Sequence, residues 1–277
     1  MSNLEKMTPM QIRSRKADQG RICVITAYDF TFARLVDAAG VDIVLAGDSM
    51  ANTMLGLEST VPVTVAQMIH HATAVVRGVQ HAVTVADMPF GSVQTGVSGT
   101  LENCVRVFKE SGVDAVKIEG GIRSAEVINA VVGAGIPVMG HVGLTPQFRS
   151  MLGGLKVQGR DEESARRILA DALAVEEAGA FAIVLEAVPR RLAALITSRL
   201  TIPTIGIGAG PDCDGQVLVL HDILGLSQRS PKFAKAWADL SAEIKRGVSA
   251  YCEEVRRGAF PDDSHSFHMD ESIIEKL

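Results

Sequence analysis

Six ionisable residues end or closely follow short apolar runs of this chain, and their types could together form a catalytic site. They are, in chain order, Asp48 in IVLAGDS, Asp87 in VTVADMP, Lys117 and Glu119 in VKIEGG, His141 in VMGHVG and Glu186 in IVLEAV. A charge buried in an apolar strand is costly unless it is paired or binds a ligand. Their position therefore indicates a shared polar pocket rather than solvated surface.

The oxygen-rich composition of this set favours a hard cation. Two or three carboxylates with neither a cysteine pair nor an HExxH motif prefer Mg²⁺ to Zn²⁺. A cation held by few carboxylates keeps positions open for water and substrate, while Lys117 and His141 supply positive charge and hydrogen-bond donors for a small acid. Glu186 is then free to remove a carbon-bound proton, with the cation and Lys117 stabilising the enolate.

Each of these residues also has a purely structural interpretation. Asp48 could cap a turn or helix, although the next strong helical pattern begins only near Thr64. Lys117 and Glu119 could form a structural ion pair, and His141 could be a satisfied core histidine. The convergence of all six at strand ends favours the functional interpretation.

The elements that position these residues alternate between short apolar runs and longer segments of helical period, which is typical of βα units. Eight such runs predict an α/β fold, a closed (β/α)₈ TIM barrel with an N-terminal helix and a C-terminal helical extension. A doubly wound open sheet is the alternative, weakened because no GxGxxG follows the first strand. The predicted strands are 22–27, 41–47, 82–86, 115–118, 137–140, 182–185, 203–207 and, less clearly, 217–220.

Capping residues and glycines delimit the predicted helices. The segments run from Asp29 to Gly40 and from Thr64 to Gly78, and two more cover 161–179 and 230–258. Asp29 shares the strand-end position of the charged residues, but it starts a helix at once and is interpreted as a cap. The chain is expected to be one domain, with a barrel over about 21–225 and a C-terminal helix and tail over 230–277.

Composition excludes several classes of protein. The chain is 47% hydrophobic and 21% charged, as expected for a globular protein with a sizeable core. A formal charge of -5 and 4% aromatic residues disfavour a nucleic-acid partner. Neither a signal peptide nor a membrane span is recognisable, so we expect no membrane association and a cytoplasmic location. The scattered cysteines predict reduced core thiols: Cys23, Cys104, Cys213 and Cys252.

Two glycine-bearing segments could contribute to a site. The segment 206–210, GIGAG, could cradle a phosphate after the seventh strand or could simply allow close packing. The long loop 143–160 follows the fifth strand, so it could act as a lid or cofactor clamp, or be a surface insertion.

The chain closely resembles the ketopantoate hydroxymethyltransferase family from about residue 26 to residue 268. The resemblance is carried by ITAYD, GDS, STVPVTV, VKIEGG, GHVGLTPQ, GGLKVQGR, LEAVP, IGIGAG, DGQVLV, PKFAK and HSFH, of which GHVGLTPQ followed by KVQGR is the most specific. It implies a Mg²⁺-dependent TIM barrel in the route to pantothenate and coenzyme A, assembled as a homo-oligomeric decamer. The implied reaction moves a one-carbon unit from 5,10-methylenetetrahydrofolate to 3-methyl-2-oxobutanoate, giving 2-dehydropantoate and tetrahydrofolate.

The resemblance also implies a role for each matching residue. The metal is expected on Asp48, Asp87 and, through water, Glu119. The 2-oxo acid is expected on Asp48, Ser49, Asp87, Lys117 and His141. Glu186 matches the proton acceptor of the family.

Two other functions remain open from the residues alone. A folate-independent, Mg²⁺-dependent lyase or mutase, similar to phosphoenolpyruvate mutase and isocitrate lyase, would use a similar barrel and metal site. A catalytically silent barrel kept as a scaffold is a further possibility, disfavoured by the intact set of carboxylates. A lyase or mutase would form its product without folate, which distinguishes it from the hydroxymethyltransferase. Mg²⁺-dependent turnover would exclude the silent scaffold.

Overall fold

In a computed structural model, residues 5–18, 20–227 and 229–277 are described, and they contain eight strands in a closed barrel. The strands are β1 (Ile22–Thr26), β2 (Ile43–Ala46), β3 (Val83–Asp87), β4 (Ala115–Glu119), β5 (Val138–Gly143), β6 (Ala182–Glu186), β7 (Thr204–Ile207) and β8 (Gly215–Leu218). Every strand pairs in parallel with its sequence neighbours, and β1 closes the ring on β8. The predicted TIM barrel is therefore confirmed, with all eight strands within a few residues of their predicted positions.

Helices follow most strands, and three of them begin at the predicted capping residues. They are α1 (Pro9–Asp18), α2 (Phe30–Ala38), α3 (Met50–Thr53), α4 (Val65–Gly78), α5 (Gly96–Ser111), α6 (Ile122–Gly133), α7 (Glu162–Glu177), α8 (Arg190–Arg199), α9 (Leu220–Ile223), α10 (Leu240–Arg256) and α11 (Glu271–Ile274). Asp29 caps α2 by accepting a hydrogen bond from the Phe32 backbone N–H. Thr64 and Asp161 each form a capping box. These three predictions are confirmed.

The predicted start of the last long helix at residue 230 is wrong. That helix is α10, which begins at Leu240 behind the N-cap Asp239. The preceding stretch runs back over the barrel: the Trp237 backbone N–H donates to Ile223 O, and Phe233 packs against Gly208. The apolar residues of 231–239 share the spacing of the helix, but tertiary contacts hold them in a turn.

The barrel core divides according to strand alternation. Side chains such as Val24, Leu45 and Val85 fill the barrel interior. Their sequence neighbours, such as Val44 and Ala86, pack outward beneath the helices. Because successive side chains point to opposite faces of a strand, every second residue of each strand faces the interior.

The cysteines are all free thiols, but only part of the prediction about them is right. Cys104 and Cys213 are buried, whereas Cys23 is exposed and Cys252 is half-buried. Cys23 alternates with the interior residues Ile22 and Val24, so it points out of the barrel.

Across the described residues, helices long and apolar enough to cross a membrane are absent.

Candidate functional site

Four neighbouring strands, β3 to β6, carry ionisable residues toward the carboxyl end of their interior face. In β4, Ala115 lies within the interior core while Lys117 and Glu119 follow at alternate positions. The same spacing places Asp87 after Val85 in β3. Parallel strands bring these ends to one rim, so the barrel interior changes from apolar to ionic within two residues.

Strand register sets which charged residues become neighbours. Asp87 pairs across the ladder with Lys117, and Glu119 pairs with His141. Glu186 lies opposite Gly143, two residues beyond the histidine. The predicted residues of β3 to β6 are thus brought side by side.

The charged side chains at this rim form one cluster, which consists of Asp48, Asp87, Lys117, Glu119, His141 and Glu186. Lys117 lies at its centre. Its Nζ lies 2.5 Å from Asp87 Oδ1 and 3.9 Å from Glu119 Oε1. The same Nζ lies 3.3 Å from His141 Nδ1. Because the lysine side chain is only 5% exposed, its charge is balanced by these carboxylates rather than by water.

His141 stands between two carboxylates. Its Nδ1 lies 3.3 Å from Glu119 Oε1, and its Nε2 lies 3.2 Å from Glu186 Oε2. The Nε2 contact lacks hydrogen-bond geometry, so it is an electrostatic contact rather than a directed bond. The imidazole therefore connects the buried Glu119 with Glu186, whose side chain is 15% exposed.

Asp48 enters the cluster from the turn after β2. Its backbone N–H donates to Asp87 Oδ2 over 2.9 Å, and its Oδ2 accepts a hydrogen bond of 3.0 Å from Gln147 Nε2. The N-cap of α3 is Ser49, whose side chain makes no capping bond. The capping interpretation of Asp48 is therefore excluded by its contacts.

Burial, together with two neighbouring carboxylates, changes the pKa of Asp48. Burial and the charges of Asp87 and Glu119 raise the pKa of Asp48 to about 7, although Lys117 and the hydrogen bond from Gln147 oppose the shift. The neutral form of this carboxyl is therefore favoured first by its burial and second by the two carboxylates beside it.

Glu119 stabilises the charged forms of Lys117 and His141, and both of them stabilise its carboxylate. Burial and the positive charge of Lys117 disfavour protonation of His141, but Glu119 and Glu186 outweigh them and raise its pKa to about 9. Burial also opposes ionisation of Glu119, yet His141 and Lys117 hold its pKa below the usual value. Burial alone would lower the pKa of Lys117, whereas Asp87, Glu119 and Asp48 raise it.

The backbone around Glu186 is unusual. Ala187, the next residue, has φ 47°, a left-handed conformation that alanine rarely adopts. Its N–H donates to Ile207 O and its carbonyl accepts from the Gln158 backbone N–H, so the conformation is held from both sides. Such a turn lets the strand end abruptly at Glu186.

A cavity of about 1360 Å³ opens over this rim, and Ser49 and Glu186 contribute to its wall. The insertion after β2 also lines it, through residues such as Asn52 and Glu58. The five charged residues Asp48, Asp87, Lys117, Glu119 and His141 are buried. The cavity is far larger than a small 2-oxo acid needs.

Both glycine-bearing segments border the cavity. Gly208 has φ +64°, and a Cβ there would lie 2.7 Å from the Phe233 ring, so close packing explains this glycine without a phosphate. The loop 143–160 contributes Leu144, Leu155 and Lys156 to the wall. A lid motion of this loop stays a prediction.

The donor set fits a hard divalent cation. Asp48, Asp87 and Glu119 offer only oxygen ligands. Among the residues that the structure describes, no three acidic, histidine or cysteine side chains already form a complete ligand set. Lys117 Nζ contacts Asp87 Oδ1 and Gln147 Nε2 contacts Asp48 Oδ2, which are oxygens that a cation would share.

The structure brings the seven predicted site residues to one rim, and it adds residues that sequence reasoning missed. Gln147 is buried between Asp48 and Glu119. Tyr28 shares a hydroxyl–hydroxyl hydrogen bond of 2.8 Å with Ser49. Both lie just past strand ends, which is the one sequence signal that could have selected them.

Comparison with known proteins gives close relatives over nearly the whole chain. A family model described as ketopantoate hydroxymethyltransferase matches residues 6–263. The 3-methyl-2-oxobutanoate hydroxymethyltransferase of Heliobacterium modesticaldum is 52% identical over 97% of this chain and 98% of its own. The enzyme of that name from Pelobacter propionicus is 55% identical over 95% of this chain and 98% of its own.

More distant structures share the fold. 2,3-dimethylmalate lyase superposes with a TM-score of 0.59 at 18% identity, covering 98% of this chain and 94% of its own. Phosphonopyruvate hydrolase, solved with oxalate and Mg²⁺, gives a TM-score of 0.59 at 14% identity, covering 97% and 94%. At such identities the likeness concerns the barrel alone.

Proposed function

Because this chain belongs to the ketopantoate hydroxymethyltransferase family, we propose that it transfers a hydroxymethyl group to 3-methyl-2-oxobutanoate and forms 2-dehydropantoate. The one-carbon donor in this proposal is 5,10-methylenetetrahydrofolate. One water is consumed overall, because a methylene unit becomes a hydroxymethyl group. The observation that carries the proposal is the position of Glu186, at the cavity wall and 3.2 Å from His141.

In this proposal Asp48 and Asp87 would hold Mg²⁺, and Glu119 would contact it through water. The cation would draw electrons from the 2-oxo group and make the C3 proton of the substrate more acidic. The electrostatics of the site support a divalent ion, since four carboxylates of the cluster face only Lys117 and His141 as cations.

The protein residues then divide the work. Ser49, Lys117 and His141, together with Asp48 and Asp87, position the 2-oxo acid. Glu186 accepts the C3 proton, and the electron pair moves toward the 2-oxo oxygen, where the positive charge of Lys117 offsets it. The nucleophilic C3 then bonds to the one-carbon unit, whose two bonds to folate nitrogens break overall. Water supplies the new hydroxyl group, and the proton from C3 and one proton of the water end on the two nitrogens of tetrahydrofolate. Exclusion of bulk water from the buried cluster strengthens each of these interactions.

The size of the cavity supports a second, larger substrate. About 1360 Å³ exceeds what a five-carbon acid fills. The lyase or mutase alternative has no comparable support, because its members match at 18% identity or less against 52% for the hydroxymethyltransferase.

Hydrogen exchange at C3 of 3-methyl-2-oxobutanoate in D₂O tests the role of Glu186. Glu186→Gln should keep metal and substrate binding but lose exchange by about 10² or more, the scale of general-base catalysis. Glu58→Gln, on the same cavity wall, is the matched control and should exchange normally. Normal exchange in Glu186→Gln would remove that residue from the role, and product formation without folate would refute the donor.

We also propose that the chain forms a homo-oligomer in the cytoplasm, a decamer by family resemblance, with 1–277 as one domain. Support for self-association comes from α10, none of whose residues is buried. An exposed apolar stripe runs along one face of it and consists of Ile244, Val248, Tyr251 and Val255.

Light scattering tests this interface. Val248→Glu should lower the measured mass, whereas Ser249→Glu, outside the stripe, should not. An unchanged mass for Val248→Glu would exclude α10 from the interface.

A further inference from the structure

Gln147 makes a set of contacts that no predicted role explains. Its side chain is buried in the short 3₁₀ turn Pro146–Phe148 after β5. Its Nε2 donates to Asp48 Oδ2 and to Met88 O, both at 3.0 Å. Its backbone N–H donates to Glu119 Oε2 at 3.3 Å. One residue of the loop 143–160 therefore restrains two of the three proposed metal carboxylates.

The orientation of the Gln147 amide is fixed by its partners. A backbone carbonyl such as Met88 O can only accept hydrogen bonds, so the amide nitrogen must face it. The amide oxygen Oε1 consequently points the other way, where it is buried and accepts no hydrogen bond from the described residues. A buried acceptor without a donor is unfavourable, which indicates that a donor arrives with a ligand.

The surroundings limit what that donor can be. The acidic neighbours Asp48 and Glu119 present acceptors when ionised. Mg²⁺ usually keeps several of its waters when proteins bind it, and the hydrogens of those waters are strong donors. A hydrated cation among the carboxylates would therefore supply what Oε1 lacks.

We propose that Gln147 is a positioning residue of the metal site. Nε2 fixes the orientation of the Asp48 carboxylate, the backbone N–H restrains Glu119, and Oε1 accepts a hydrogen bond from the cation's water. The inference rests on the proposed metal site. Residues that orient metal ligands in this way typically change metal affinity by about 10–100-fold when they are replaced.

Calorimetric titration of the full-length, substrate-free protein with MgCl₂ and MnCl₂ tests the proposal. Gln147→Met keeps the length of the side chain but removes both polar atoms, and it should weaken metal binding by about 10–100-fold. Gln158→Met makes the same change in the same loop, where Nε2 donates to Lys156 O. This control should bind metal within about twofold of the wild type.

Thermal unfolding without metal separates positioning from folding. Gln147→Met should remain folded, and raised Mg²⁺ should restore its turnover, which a merely structural defect would not permit. If the Met variant does not fold, Gln147→Asn keeps the amide but shortens its reach, and it should still weaken binding severalfold. Metal affinity equal to wild type in a folded Gln147 variant overturns the inference. A wild-type protein that binds no divalent cation overturns instead the metal site of the proposed function.

Discussion

The Nε2 atom of His141 lies 3.2 Å from Glu186 Oε2, on the neighbouring strand. The other ring nitrogen, Nδ1, faces Glu119 Oε1 and the Lys117 ammonium. The carboxyl group proposed as the base is therefore held by the same imidazole that contacts the buried cluster. Glu186 can respond to the charge of the cluster through a single side chain.

Replacing His141 should slow proton removal. His141→Gln deletes the positive charge beside Glu186 and frees the carboxylate to turn, so C3 hydrogen exchange should fall by about 10–100-fold. The measurement is the same exchange in D₂O, at saturating substrate. His70→Gln, an exposed histidine on α4, should leave the rate unchanged. Wild-type exchange in His141→Gln would show that Glu186 acts without this contact.

Metal binding should depend on pH around neutrality. Burial and the neighbouring acids raise the pKa of Asp48 to about 7 in the metal-free protein, and a cation can bind only after that proton leaves. Affinity for Mn²⁺ should therefore fall by roughly tenfold per pH unit below this pKa and level off above it. Calorimetry between about pH 6 and pH 8 measures the change.

The control for this dependence is Asp48→Asn. That variant should bind Mn²⁺ weakly and with a much shallower pH dependence. An affinity of the wild-type protein that stays constant across the range would contradict the protonation of Asp48.

Apolar runs and the alternation of side chains along the strands predicted most of the fold and much of the site. A closed parallel barrel follows from eight apolar runs, and interior positions follow from alternation, which is why Lys117 and Glu119 could be placed together. Consecutive strands of a parallel barrel are neighbours, so the residues at the carboxyl ends of β3 to β6 were expected to lie side by side. These inferences need only spacing along the chain.

Contacts that depend on loop paths could not be read in this way. Gln147 reaches Asp48 across 99 positions of sequence, and nothing in the periodicity of its own loop indicates that approach. The start of α10 failed for a related reason, because Phe233 and Trp237 have helical spacing but pack in a turn. Tertiary contacts decided both.

Gly143 should be intolerant of a side chain. Its φ is +93°, and a Cβ there would lie 2.4 Å from Glu186 O and 2.6 Å from Val188 Cγ2. Gly143→Ala should lower the free energy of unfolding by roughly 2–4 kcal/mol, from backbone strain and overpacking together. Gly133→Ala, at a helix end with open space around the new Cβ, should be neutral or slightly stabilising in the same denaturant titration. Equal stability of Gly143→Ala and wild type would show that β5 and β6 can separate freely.

The outer wall of the cavity should recognise the acidic end of the folate substrate. Three cationic side chains line this wall and form no salt bridge with the described parts of the chain: Lys156, Arg229 and Lys232. The glutamate tail of a folate carries carboxylates that such cations attract. Lys156→Gln and Lys232→Gln should each raise the KM for 5,10-methylenetetrahydrofolate by about 2–5-fold, since one exposed charge contact contributes little more.

The KM for 3-methyl-2-oxobutanoate should not change in these two variants, because the proposed site of the small acid is at the other end of the cavity. Lys109→Gln, in the last turn of α5 and outside the cavity wall, is the matched control. Steady-state kinetics with each substrate varied in turn separates the two constants. A parallel rise of both KM values would place the cations near the 2-oxo acid. If neither KM value rises, the folate tail does not bind to these cations.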